Sequence, residues 1–436
     1  MQEATAWKLL FNKTHLKSRY YEKISKRPSV GLDKVTNAKF EEKLDDEIDI
    51  ILRKVNDGSY SFTRYRMLLF LKGPTKAPRQ VCVPTVRDKL TLSTLNETLG
   101  FVYGSQCRTQ MPQVIINDIS NNLPNFDSFI KLDVSSFYAS IKHDVLLRKL
   151  RGKIKKAEII DLIQKAIETE SLSYPVKEKV KRQKRERGIP EGLPISNSLA
   201  NIYMANLDKK YSKLPGIKYY RYVDDILILL NQENLPTVKK SIVMALKRLG
   251  LKTNDKNADG KISQGFEYLG YFLSTSGITV RNSSILKVEQ SFEELIIKMK
   301  KEPPEYTEWK LNLKITGFIY GGNKYGWMFF FSQISDTSLL FRLDDLIEKL
   351  LERYGVDPSV RRKRFVRTYH EIRQALHTTS YVPNFDKYTI DDKRRVVSRV
   401  YKKDFSSADE HTVEDYFGKI ISKEIRDIEK DIQAFS

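Results

Sequence analysis

Two aspartates, Asp224 and Asp225, stand side by side in "YRYVDDILILL" (220–230), inside a run that otherwise reads as a buried strand. Adjacent residues of a strand point to opposite faces, so a pair in mid-strand would leave at least one carboxylate without solvent. A tight bend over Tyr222–Asp225 relieves this and puts both carboxylates at a tip, where a divalent cation can compensate their charge. On these four residues alone a surface turn is the stronger reading, because aspartate is common in turns. A second acidic strand reverses that order: "FIKLDVSSFYASI" places Asp133 at the end of another apolar run, and a strand ending beside the hairpin brings Asp133 and Asp224 to one point. Three converging carboxylates need counter-ions. Two Mg²⁺ held by them can activate a primer 3′-hydroxyl, stabilise in-line attack on an α-phosphate and neutralise the departing pyrophosphate.

The elements that must position these residues are legible in outline. "TNAKFEEKLDDEIDIILRKVNDGSY" has apolar residues at Phe40, Leu44, Ile48, Ile51 and Leu52, predicting one amphipathic helix capped by Thr36 or Asn37 and stopped near Gly58. "SFTRYRMLLFLKGPTKAPRQVCVP" reads as a hairpin carrying Lys72, Lys76 and Arg79. Between the two acidic strands, "HDVLLRKLRGKIKKAEIIDLIQKAIETESL" is helical, and another helix starts after Pro194. Beyond residue 285 the pattern is mostly helical. The run 177–187, "KEKVKRQKRER", reads either as a solvated face or as phosphate-contacting.

The chain has 436 residues, long for one core, and 76 Lys and Arg against 55 Asp and Glu give a net charge of +21. Such an excess suits a polyanionic partner, most directly a nucleic acid, although a ribosomal or membrane-surface protein shows the same balance. Cys82 and Cys107 are too few for a disulfide scaffold or zinc cluster, and the five histidines are scattered, so a reducing, cytoplasmic setting is expected. No segment approaches the roughly 20 apolar residues of a membrane span, and "MQEATAWKLLFNK" lacks the apolar stretch of a signal peptide. No membrane partner is expected.

In order along the chain, "GLDKVTNAKFEEKL" from Gly31, "PRQVCVPTVRDKL" (78–90), "LDVSSFYASI" (132–141), "RGIPEGLPISNSLANIYM" (187–204), "YVDD" (222–225), "GLKTNDK" (250–256) and "FEYLGY" (266–271) resemble the segments of bacterial and group II intron-type reverse transcriptases. Each is weak alone; their order carries the resemblance. It implies an α+β right-hand polymerase of fingers, palm and thumb with a helical C-terminal extension. The expected divisions are 1–125 for the N-terminal region and fingers, 126–285 for the palm with an inserted helical segment near 146–186, 286–370 for a helical thumb and 371–436 for a basic extension.

The resemblance also implies roles. Asp133 resembles the first metal ligand, Asp224 the second and Asp225 a supporting carboxylate, with the Val134 carbonyl as a backbone ligand, for two Mg²⁺ or, alternatively, Mn²⁺. Tyr138 stands where the family places a bulky gate against a 2′-hydroxyl, the alternative being core packing. Arg79 matches the arginine that clasps the incoming triphosphate, with Lys72 as companion, and Lys256 matches a lysine proposed to protonate pyrophosphate. "GIPEGLPIS" resembles the loop under template and nucleotide. Within it Glu191 and Gly192 fall to the dNTP, and Gly188, Pro190 and Ser196 to primer and template. The family commonly has Gln where this chain has Glu191, a departure that changes the local charge. Tyr222 and Val223 are expected to floor the primer end, and Tyr268, Leu269 and Gly270 resemble the primer grip.

No His-Asn-His cluster and no zinc-spaced cysteine pairs mark an endonuclease, and the Val-Thr-Gly motif of retron enzymes is missing near "LKITGFIYGG". The better match is the defence-associated and abortive-infection group. This resemblance implies synthesis of DNA from dNTPs on an RNA template, with a noncoding RNA as partner and protection against phage as role. Untemplated or protein-primed synthesis, and an RNA-binding maturase or scaffold that kept the fold, are the rivals. In the extension, 361–367 and 391–403 with Tyr369, Tyr381, Tyr388 and Tyr401 fit RNA binding by phosphate contact and stacking, or equally the outer faces of packing helices.

Overall fold

The computed structural model describes residues 2–26, 28–71, 78–174, 183–254 and 257–433, and its mixture of helices and sheets is α+β. Lys72, Lys76, Lys256 and the stretch 177–182 of the basic run lie outside the described residues. The chain forms two compact units: Met1–Gln110 with Ser128–Gly260, and Met111–Asp127 with Lys261–Ser436. Among the described residues no helix is long and apolar enough to cross a membrane.

In the first unit, β1 (Tyr65–Phe70) and β2 (Arg79–Val83) pair antiparallel, from Arg66 opposite Val83 to Phe70 opposite Arg79, as the two β-rich runs predict. The two-residue strand β4 (Ser171–Leu172) joins β1 in parallel. A second sheet has the order β5–β6–β3–β7, from β3 (Ser128–Ser135), β5 (Ile217–Tyr222), β6 (Asp225–Leu230) and β7 (Lys252–Thr253). In β3, Ile130, Leu132 and Val134 are buried while Lys131, Asp133 and Ser135 are partly exposed, the alternation of a strand with one packed face. Ile226 to Leu230 of β6 are all buried, and their β-branched and leucine side chains suit a central strand.

The helix Val86–Tyr103 is buried nearly all round, yet it carries Thr91, Thr94 and Thr98. The fold accommodates them because each hydroxyl donates to the carbonyl four residues back, at 3.1, 3.0 and 3.1 Å, so no buried hydroxyl is stranded. The single helix expected over 37–56 is two, Asn37–Glu41 and Leu44–Asn56. Thr36 caps the first, accepting the Lys39 N–H as foreseen. The break leaves Asp45, Asp46 and Glu47 in the first turn of the second helix, where carboxylates favour a new N-terminus over helix interior.

The second unit is mainly helical, with Asn282–Met299, Pro304–Thr316, Ser338–Arg353, Phe365–Gln374, Ile390–Tyr401 and Glu410–Gln433. Within this mostly helical region, 318–325 is a hairpin of Phe318–Tyr320 against Asn323–Tyr325. Gly321 and Gly322 take φ of 57° and 70° in its turn and donate their N–H groups to the Asp386 carboxylate at 2.6 and 2.8 Å. Lys310 meets Glu424 at 2.7 Å in a buried ion pair, and the Tyr401 hydroxyl donates to the same carboxylate at 3.2 Å. Of the four tyrosines in this region Tyr369 is buried, and Tyr381, Tyr388 and Tyr401 are partly exposed. Tyr369 donates to the Ile334 carbonyl at 2.8 Å, Tyr388 packs on Phe385 and Phe417, and the Tyr381 ring lies under Arg367 at 4.3 Å.

Candidate active site

Asp133 is the sixth residue of β3, on its partly exposed face, and pairs directly across the sheet with Asp225, the first residue of β6. Directly opposed residues put their side chains on the same face, so the fold itself sets these two carboxylates together. Tyr222 is paired with Asp225, leaving Val223 and Asp224 as a two-residue turn. The bend therefore lies where the sequence placed it, but only Asp224 is at its tip. The main chain ties this tip to β3 through the Val134 N–H, which donates to the Asp224 carbonyl at 3.2 Å.

Val223 has φ of 56°. A β-branched residue in the left-handed region costs on the order of 1–3 kcal/mol and persists only where its surroundings hold it. Here the holder is Arg221, a residue not singled out from sequence. Its guanidinium donates to the Val223 carbonyl at 2.8 Å, to both Asp208 oxygens at 2.8 and 2.7 Å, and to Asn201 at 3.2 Å. A cation three residues before Asp224 was visible in "YRYVDD"; its partners on a distant helix were not. On the other side of Asp133, the Asn254 N–H donates to the Asp133 carbonyl at 3.0 Å and Asn257 accepts the Asp133 N–H at 3.2 Å. Asn254 and Asn257 thus clasp the acidic end of β3.

Ser136, with φ of 47°, turns the chain out of β3 into the short helix Phe137–Ser140 and so delivers Tyr138. Tyr138 is buried, and its hydroxyl donates to Asn197 at the start of the helix Ser196–Ser212. Burial pushes its phenol well above the ordinary range; the charges of Glu191 and Asp224 push it further, and Arg79 and Arg221 oppose them. The groups around this one phenol thus come from β2, the 188–196 loop and the β5–β6 hairpin. Tyr222 is likewise raised by burial first and by Asp224 second.

The loop "GIPEGLPIS" is bound to both neighbours. The Gly188 N–H donates to the Ile141 carbonyl at 2.8 Å and the Ile189 N–H to the Tyr138 carbonyl at 2.9 Å. Gly188 (φ 86°) approaches so closely that a Cβ would lie 2.9 Å from the Ala139 Cα. Ser196 donates to the Pro190 carbonyl at 2.6 Å, a structural use of a residue expected to face the template strand. Gly192 (φ 94°) presses on β2, where a Cβ would lie 2.7 Å from Val81 Cγ1, and the Cys82 N–H donates to the Glu191 carbonyl at 2.6 Å. Arg79 donates through Nε to the Glu191 carboxylate at 2.9 Å. Tyr268, Leu269 and Gly270 belong to the second unit, at a two-residue turn in which Leu269 and Gly270 have φ of 48° and 84° and Tyr268 pairs with Tyr271.

Among the described residues no three His, Cys, Asp or Glu side chains form a ready-made cation site. What fits a divalent cation is the donor chemistry, all hard carboxylate oxygen, and the register that aligns Asp133 with Asp225 and ties Asp224 beside Val134.

Residues 70–273 match the family model for reverse transcriptase (RNA-dependent DNA polymerase). The Group II intron-encoded protein LtrA of Lactococcus lactis subsp. cremoris is 24% identical over 283 residues, covering 62% of this chain and 45% of LtrA. An uncharacterized 91 kDa protein in the cob intron of Schizosaccharomyces pombe is 29% identical over 178 residues, 38% of this chain and 21% of that protein. This chain therefore spans less than half the length of either relative. Among solved structures, telomerase from Candida albicans in complex with a fragment of telomeric RNA aligns over 94% of this chain and 66% of its own, at 12% identity and a TM-score of 0.44.

Proposed function

We propose that this chain is an RNA-directed DNA polymerase whose reaction centre is Asp133, Asp224 and Asp225. The observation that supports this most is the cross-strand pairing of Asp133 with Asp225 beside a strained turn that carries Asp224, inside the segment matched to reverse transcriptases. The three carboxylates, with the Val134 carbonyl, would hold two Mg²⁺, which when bound supply Lewis-acid activation of the primer hydroxyl and neutralisation of pyrophosphate. The chain's own residues do the rest: Arg79 binds the triphosphate of the incoming dNTP, Tyr138 closes the space beside the sugar, and the 188–196 loop supports the nucleotide and template. The proposed template is an RNA, and the charge of +21 supports a nucleic-acid partner.

Purified protein given Mg²⁺, dNTPs and a primed RNA is expected to make DNA. Asp224→Asn is expected to lower the rate on the order of 100-fold or more, since a charge acting in the transition state is removed. A variant as active as the wild type would refute the assignment. We extend the reading to defence against phage with a noncoding RNA, on the sequence resemblance alone; a host whose protection survives Asp224→Asn would reject that extension.

A further inference from the structure

Resting on that reading, the Arg79–Glu191 pair sets a carboxylate against the cation proposed to bind the triphosphate. Arg79 opens β2, and it is the cation that the proposed function assigns to the incoming triphosphate. In this structure its Nε is bonded to the Glu191 carboxylate at 2.9 Å. The meeting is imposed by the backbone: the Glu191 carbonyl is bonded to the Cys82 N–H at 2.6 Å, and Gly192 lies too close to Val81 and Cys82 for any side chain. The two side chains are 39% and 30% exposed, so the pair is open to solvent and to a solute.

A nucleoside triphosphate carries several negative charges and approaches a site that already holds Asp133, Asp224 and Asp225. With Glu191 beside it, Arg79 presents no net charge to that anion. We infer that Glu191 is a built-in counter-anion of Arg79, a carboxylate latch that the triphosphate of the incoming nucleotide must displace, and that it thereby sets the nucleotide concentration at which the site fills. A half-exposed ion pair is weak enough to be exchanged for a polyphosphate that offers Arg79 more than one oxygen. After the exchange Glu191 is left near the ligand as a like charge, which adds to the threshold.

The test uses Glu191→Gln, which keeps shape and removes charge, with Glu191→Ala as a second variant. Roughly 3- to 5-fold lower KM for dNTP is expected, the factor that loss of one partly exposed competing ion pair gives. Binding of inorganic tripolyphosphate, titrated without primer or turnover, is expected to tighten by a similar factor. Both gains should vanish when Arg79→Ala is added, because the carboxylate acts through Arg79. A KM or tripolyphosphate affinity that is unchanged or weaker in the Glu191 variants overturns the latch and makes Glu191 a positioner of Arg79. Because the tripolyphosphate titration needs no DNA synthesis, it decides the latch even if the polymerase reading fails on Asp224→Asn.

Discussion

At the scale of residues, candidates could be picked out where a residue type is informative by itself, and not where its meaning lies in a partner. Asp133, Asp224 and Asp225 could be chosen from sequence because charges in apolar runs need a reason, whereas Arg79 stood out only through the family resemblance. Asn197 could not, since "ISNSLAN" reads as an ordinary helix start and nothing in it announces the Tyr138 hydroxyl. That contact fixes the ring of Tyr138 at its far end, so Asn197 acts as a positioning residue for the proposed sugar gate. Asn197→Ala strands a buried hydroxyl, a loss of about 1–2 kcal/mol, and is expected to reduce the preference for dNTP over rNTP by about 5- to 10-fold in kcat/KM. Tyr138→Phe removes the same bond and should give a matching loss, with the double variant no worse than either. Full discrimination in both single variants would show that the ring is held by packing alone.

At the scale of elements, the hairpin bearing Asp224 was legible because two apolar runs flank it, whereas its left-handed Val223 was not, because valine carries no preference for such a turn. The same contrast recurs elsewhere. Gly321 and Gly322 of "TGFIYGG" form the turn of the 318–325 hairpin, a signal left unused because the pattern beyond residue 285 is mostly helical. The break between Glu41 and Leu44 is set by charge at a helix end rather than by any breaker residue. For the Val223 turn, the restraint is the Arg221 fork shared between Asp208 and the Val223 carbonyl. Arg221→Lys keeps the charge but cannot serve both partners at once. The turn is then free to relax, and the Mg²⁺ concentration for half-maximal DNA synthesis is expected to rise several-fold, up to about 10-fold, because misplacing a catalytic group by a fraction of its bond length is costly. A variant with a lower Tm and an unchanged Mg²⁺ midpoint would reduce Arg221 to a structural role.

At the scale of the whole molecule, the net charge pointed to a polyanionic partner, whereas the assignment of residues 111–127 to the second unit is a matter of tertiary contacts: their stretch lacks Lys and Arg, but that composition does not say which unit they pack against. Each unit has its own buried polar anchor. In the second it is the Lys310–Glu424 pair, and in the first it is Asp88, which is 2% exposed and accepts bonds from the Tyr60 hydroxyl at 2.8 Å and the Thr63 N–H at 3.0 Å. Burial raises the Asp88 carboxyl to about 6, against hydrogen bonds that favour its charged form. An unfolded aspartate titrates near 3.9, so the folded chain holds this proton more tightly than the unfolded one. The resulting stability is fully present below about pH 4 and is lost as pH rises through about 6, a change of about 3 kcal/mol for a shift of about two units. Asp88→Asn cannot titrate. The stability of the wild type relative to Asp88→Asn is therefore expected to fall by about that amount between pH 4 and pH 7, as measured by denaturant unfolding at each pH. Because Asp88 lies in the first unit, hydrogen exchange should place the pH-dependent difference in Met1–Gln110 and Ser128–Gly260 and leave the helices around Lys310 and Glu424 alike in both proteins. A gap between wild type and variant that stays constant with pH would show that Asp88 is ionised throughout and that its two donors outweigh its burial.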